Sequence, residues 1–206
     1  MRLSGRRAQA ARNDQVILAS ARAVFVADPG APIAAVAEHA GVGISALYRR
    51  YASKEDLLRR LCLDGLHRYV AAAEAALADD GDPWEAFATF MRRNVEAETH
   101  SLTLRLAGTF TPDEELYREA ARAQELNVRL FERTRAAGAL RPDVEVDDIA
   151  MLLEQLAAIR VGDAARTARL RQRYLALVLD ALHVRPGTPL PGPPPTWAEI
   201  AGRWDA

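Results

Sequence analysis

The chain has 206 residues, half of them hydrophobic and 27% charged, with a formal net charge of −1. That length suits one domain, or a small domain attached to a larger one with a sizeable core, and the composition excludes a disordered chain. The lone cysteine, Cys62, excludes an internal disulfide framework and fits a reducing cytoplasm. The lack of a long apolar run, at the N-terminus or elsewhere, leaves no membrane span or signal peptide to expect.

Periodicity is helical along nearly the whole chain. Over 14–27, Ile17, Ala21, Val24 and Phe25 recur at three- and four-residue spacing and predict a helix with one apolar stripe. The turn ADPGAP ends it, with Pro32 placed to open the next helix. Residues 33–40 form a short helix, Gly41 breaks it, and 44–51 restart it. Ser53 is an N-cap followed by Glu55 and Asp56 in the first turn, where the helix dipole favours acids, and that helix runs to about Ala78. After a turn at 79–83, a helix over 84–99 carries Trp84, Phe87, Phe90 and Met91. Beyond a less regular stretch at 100–111, Thr111 as cap, Pro112 as first helical residue and the acids behind them predict a helix to about Ala137. Two leucine-rich helices follow, over 147–161 and 167–182. With no alternating strand pattern, the fold class is all-α with about nine helices.

The last 22 residues differ in kind, because six of the eleven prolines fall in 186–195 and should be extended. Beyond them Thr196 and Glu199 have capping-box spacing, and Trp197, Ile200 and Trp204 make a small apolar face. Two readings stand for this tail: one that docks its tryptophans on the body, and an arm that binds a partner or covers a pocket.

Residues 33–51 read as helix, Gly-centred turn, helix. Val36 and Ala37 face inward, Gly41 supplies the positive-φ turn residue, and Val42 and Leu47 plug the angle between the helices. This is the helix-turn-helix pattern. Charge points the same way: residues 1–60 hold ten bases and five acids, a net +5 that leaves −6 for the remaining 146. A basic end on an acidic body suggests one part that meets an anion and one that does not.

The wider context is more specific. A-x-x-x-F at Ala21 and Phe25, followed by AVAEHAGVGISALYRRYASKEDLL at 35–58, resembles the DNA-binding domain of the TetR/AcrR family of transcriptional regulators. The AGV turn, the LY-x-x-Y segment and the S-K-E-x-L-L helix start stand in order at the family's spacing. The rest of the chain resembles the family in helical pattern and length. Two departures stand out: Ala31-Pro32 replaces the usual Thr or Ser at the first motif helix, and G-I-S-A-L-Y replaces S-x-G-T-L-Y. The second change puts Ser45 and Ala46 where relatives carry a Gly-Thr pair against DNA.

The resemblance implies a three-helix DNA-binding domain over 1–56, an effector-binding and dimerisation domain over 57–184, and a Pro-rich tail over 185–206. It implies a regulator, by default a repressor, that binds a palindromic duplex operator as a homodimer and is released by a small molecule. The expected DNA-facing residues are Gly43, Ile44, Ser45 and Ala46, small or apolar and suited to close approach and thymine methyls. Tyr48 offers its hydroxyl to a phosphate by resemblance, against the alternative of a core aromatic. Arg49 and Arg50 suit phosphate or guanine, unless one is a solvated surface charge. Lys54 opens the next helix, where amides and positive charge suit a phosphate. Arg6 and Arg7, with Arg12, suit either a groove-following arm or a solubilising tail.

Trp84, Phe87, Phe90, Met91, His100, Arg105 and Phe110 lie where relatives line an effector cavity, although such a stripe is more often core; His100 and Arg105 would orient a polar or anionic group of a largely apolar effector inside an apolar cavity. For the dimer interface, Leu152, Leu153, Leu156 and Ile159 form one stripe and Leu170, Tyr174, Leu177 and Val178 another, shared with intramolecular core. Enzyme chemistry is not expected: the four histidines are scattered, no metal-ligand spacing exists, and phosphate-loop, dinucleotide and nucleophile-elbow motifs are absent. No cofactor or metal is expected, and the location is cytoplasmic. A helical adaptor using the Pro-rich tail is the third reading, which sequence-selective, salt-dependent binding to duplex DNA would separate from the regulator.

Overall fold

The computed structural model describes residues 2–97, 106, 109–184 and 189–201, with side chains for 13–97, 106, 109–184 and 189–200. Nine named helices make up the described residues, with a single isolated bridge and no strand: α1 Arg2–Ala27, α2 Ile33–His39, α3 Ile44–Arg50, α4 Lys54–Leu77, α5 Pro83–Glu96, α6 Glu114–Ala136, α7 Val146–Ala158, α8 Ala164–Leu182 and α9 Trp197–Ala201. The all-α expectation therefore holds. None of these helices is long and apolar enough to cross a membrane.

Helix starts follow local chemistry. Ser53 accepts from the Asp56 amide and Asp56 accepts from the Ala52 amide, which fixes the start of α4 where the sequence placed it. Asp82 caps α5 with Pro83 in its first turn, Asp163 caps α8, and Glu145 with Asp148 forms the capping box of α7. Thr196 and Glu199 form the expected box at α9.

Two starts differ from expectation. α6 begins at Glu114 with Asp113 as its cap, accepting from the Leu116 amide at 2.9 Å, instead of starting at Pro112 behind Thr111. A carboxylate complements the helix dipole better than a hydroxyl, and Thr111 is occupied elsewhere: its amide donates to Glu55 and its carbonyl accepts from Arg59. α1 begins twelve residues before the predicted position 14. Residues 2–13 are rich in Arg and Ala, whose propensity sustains a helix without an apolar stripe, whereas periodicity registers only the part that meets a core.

There are two cores. Ile17, Leu18, Ala21 and Phe25 of α1 pack with Val36, Leu47, Tyr51 and the first half of α4 (Leu57, Leu58, Leu61, Cys62, Leu63). The second half of α4 (Tyr69, Val70, Ala73, Ala76) packs with Phe87, Phe90, Met91, Leu130, Phe131, Leu153, Leu156, Leu175 and Leu179. α4 is thus the shared beam, and Leu66 touches both clusters. A second link crosses beside it: Leu106, Phe110 and Leu116, just before and at the start of α6, insert into the N-terminal core. Arg59 pairs with Asp113 at 3.4 Å over that joint. At the other end of the body, the bridge between Leu140 and His183 ties the turn after α6 to the end of α8.

Candidate nucleic-acid interface

The interface starts from one apolar anchor and one turn. Ile33, Val36 and Ala37 are buried on α2, and Pro32 stands at its N-cap with no side-chain cap, as expected where Ser or Thr is missing. Gly41 takes φ of +65°, the left-handed region where a β-carbon is strained. The chain reverses there, and the Val42 amide donates back to the Ala37 carbonyl at 3.0 Å. α3 then leaves the turn with Leu47 as its single buried residue, 0% exposed.

Every other residue of α3 is exposed, as is Gly43 before it. Ile44 keeps 39% of its surface in solvent and Tyr48 49%, so Tyr48 is not a core aromatic. The aromatic packed behind the helix is Tyr51, whose burial raises its phenol pKa against the lowering influence of Arg50. The two arginines differ. Arg50 forms an ion pair with Asp14 of α1, while Arg49 enters no ion pair among the described residues.

Lys54 turns inward. Its ammonium donates to the carbonyls of Ala31 at 2.7 Å, Pro29 at 3.3 Å and Gly30 at 3.4 Å, and sits 5.2 Å from the Phe25 ring centre. It ties the start of α4 to the α1–α2 turn, where sequence reasoning set it against a phosphate. Arg6, Arg7 and Arg12 lie on the backbone of α1, and their side chains fall outside the described residues.

An exposed short helix behind a tight glycine turn, on a basic domain joined by a long helix to an acidic helical body, has counterparts among known proteins. Residues 17–61 match the family model of bacterial regulatory proteins, tetR family, and residues 82–184 match that of the SbtR-like transcriptional regulator C-terminal domain. The chain belongs to the TetR family. Among solved structures, a TetR transcriptional regulator from Streptomyces coelicolor is 25% identical, covering 84% of this chain and 99% of its own, with a TM-score of 0.62. The TetR transcription regulatory protein from Mycobacterium vanbaalenii is 29% identical, with 86% and 99% covered and a TM-score of 0.60. The fold is also that of the TetR-like regulator LfrR from Mycobacterium smegmatis, solved in complex with proflavine, at 23% identity, 80% and 95% coverage and a TM-score of 0.58. A search of the curated proteins finds no match. The protein is a DNA-binding transcriptional regulator of that family.

Of the effector candidates of this TetR regulator, Trp84, Phe87, Phe90 and Met91 gather on α5 against the C-terminal core. Phe87, Phe90 and Met91 are 0% exposed inside the C-terminal core, with Phe90 edge-on to Tyr69 at 5.1 Å. Trp84 is half-buried at the start of α5, 4.6 Å from the His183 ring. Phe110 belongs to the other core. His100 and Arg105 fall outside the described residues. Sequence reasoning missed the polar residues of this region: Asn94, 3% exposed, donates to the Phe90 carbonyl, and Asn127, 5% exposed, has a buried side-chain oxygen with no hydrogen-bond partner among the described residues. A signal was present, since Asn127 interrupts the Ala123, Leu130, Phe131, Thr134 stripe of α6.

The dimer candidates divide by burial. Leu153 and Leu156 are core residues of this chain, which answers to the intramolecular alternative. Leu152, Ile159, Leu170 and Val178 are partly buried, whereas Tyr174 and Leu177 are 46% and 58% exposed. On α8, Leu170, Tyr174 and Leu177 follow one another at helical spacing, and the last two are left to solvent. Cys62 is buried, and burial pushes its thiol up to about 12, so it stays protonated at neutral pH and is no nucleophile.

Proposed function

We propose that this TetR-family regulator is a repressor that binds a near-palindromic operator as a homodimer and leaves it when a small molecule binds its C-terminal body. The observation that carries the reading is α3: a helix held by Leu47 alone, with small, apolar and cationic side chains on all the rest of its surface. Such a helix can approach the floor of a major groove closely. The proposed contacts are Gly43, Ile44, Ser45, Ala46, Tyr48, Arg49 and Arg50, with the α4 N-terminus on a phosphate and Arg6 and Arg7 following the groove. The proposed location is the cytoplasm.

The exposed Tyr174 and Leu177 on α8, with partly buried Leu152 on α7 and Ile159 just after it, support a twofold mate and hence two α3 helices about one DNA turn apart. The proposed units are 1–56 for DNA, 57–184 for effector and dimer, and 185–206 for the tail. An effector of small-molecule size is proposed by analogy with the fold-mate solved with proflavine. Its action is a population shift: it binds better to a dimer whose recognition helices are mis-spaced. The joint of Arg59, Thr111 and Asp113, with Phe110 in the N-terminal core, supports such coupling. Selection of bound sequences from random duplex DNA, repeated with metabolite pools, tests the proposal. A palindrome released by one pool is expected; no preferred duplex, or a single unrepeated half-site, would overturn it.

A further inference from the structure

Helical geometry turns each residue of α3 by about 100° from the last. With Leu47 as the inward pole, Ser45 and Arg49 lie on the opposite side, one turn apart. Ile44 and Tyr48 flank them on one side and Ala46 and Arg50 on the other, which agrees with the exposure of all six. Small Ser45 leaves the Arg49 guanidinium unshielded at the centre of the outward face. Arg50 is on a flank, and its guanidinium is drawn back by Asp14 onto α1. The two cations thus present different surfaces to a ligand.

The sequence of α3, ISALYRR, contains no Asn, Gln, Lys or acid. Of the side chains that read base edges by paired hydrogen bonds, carboxamides select adenine, carboxylates select cytosine, and arginine or lysine selects guanine through O6 and N7. Only arginine is available here, and only one arginine points outward. Resting on the DNA-binding reading above, we propose that Arg49 is the base-reading residue, specifying one guanine in each half-site by a two-pronged contact. Arg50, steadied by Asp14, meets a phosphate and carries no sequence information. Ser45 is the small neighbour that lets the helix come close enough for Arg49 to reach.

The test uses the full-length protein and the duplex it selects. Arg49→Met keeps the hydrocarbon stem but loses every hydrogen-bond donor. It should cut the preference for guanine over the other bases at one position per half-site by about 5- to 150-fold. Replacing that guanine by 7-deazaguanine, which lacks N7, should weaken wild-type binding and leave Arg49→Met almost unaffected. Arg50→Ala should weaken all duplexes by a common factor and reduce the salt dependence by about one phosphate. Unchanged thermal unfolding of each variant verifies its fold. A guanine preference that survives Arg49→Met, or one lost with Arg50→Ala, overturns this assignment while leaving the regulator reading intact. Failure to select any duplex overturns both.

Discussion

Lys54 separates two physical roles that the same residue could serve, and Lys54→Met tests them while keeping the hydrocarbon stem. The ammonium donates to three carbonyls of the α1–α2 turn, at 2.7, 3.3 and 3.4 Å, and lies over Phe25. A hydrogen bond from a charged group contributes about 1.5–3 kcal/mol and a cation–π contact about 0.5–1 kcal/mol. Lys54 is only half-buried and the two longer bonds are weak, so a loss of about 2 kcal/mol is the appropriate scale. For a chain of this size, that lowers the unfolding midpoint by about 4–8 °C. The assay is thermal unfolding followed by circular dichroism, alongside DNA affinity measured across a salt series. The expected result is a lower midpoint with an unchanged salt slope. An unchanged midpoint, with a slope reduced by about one phosphate, would show that the ammonium serves DNA and would refute the structural role.

Other outcomes follow from the C-terminal body and the tail. Asn127→Leu replaces a buried carboxamide, whose oxygen has no partner among the described residues, with an apolar side chain of similar size and should stabilise the protein by about 1–3 kcal/mol in urea unfolding; a loss would mean that the oxygen is satisfied in the native state. Leu177→Glu puts a charge on the most exposed large apolar residue of α8 and should give a monomer by sedimentation velocity, whereas a dimer of wild-type strength would place the interface elsewhere. Asp143 accepts from Arg141 and from the Leu190 amide, and these contacts, Arg141's first, hold its carboxyl down at about 2. Because the folded value lies below the ordinary 3.8, the contact is fully present above that pH and is lost as pH falls through about 2. The Leu190 amide resonance should titrate there, and a midpoint near 4 would mean that the tail does not sit on Asp143.

The sequence was most legible where one residue type has one physical use. Gly41 at a positive φ, Ser53 as a cap and Leu47 as a plug were read from their neighbours alone, because local sterics and hydrogen bonding decide them. The start of α1 was not legible, since a helix without an apolar face leaves no periodic trace. The roles of Lys54 and Arg50 were hidden for a different reason: their partners, the Ala31 carbonyl and Asp14, lie 23 and 36 residues away. A charged side chain near a recognition helix looks the same in sequence whether it faces a phosphate or its own fold. The two leucine stripes were legible as stripes, but the division into Leu153 and Leu156 inside and Tyr174 and Leu177 outside depends on how α7 and α8 rotate against α5.

If the outward face of α3 meets DNA as proposed, Ser45→Glu should disrupt binding with the least disturbance to the fold. Ser45 is exposed at the middle of that face, so the substitution should leave thermal unfolding unchanged. It would set a carboxylate among phosphates and base edges, a like-charge juxtaposition of several kcal/mol. On the duplex selected by the wild-type protein, affinity should fall by about 100-fold or more while the fold stays intact. Wild-type affinity in a folded Ser45→Glu protein would contradict the account.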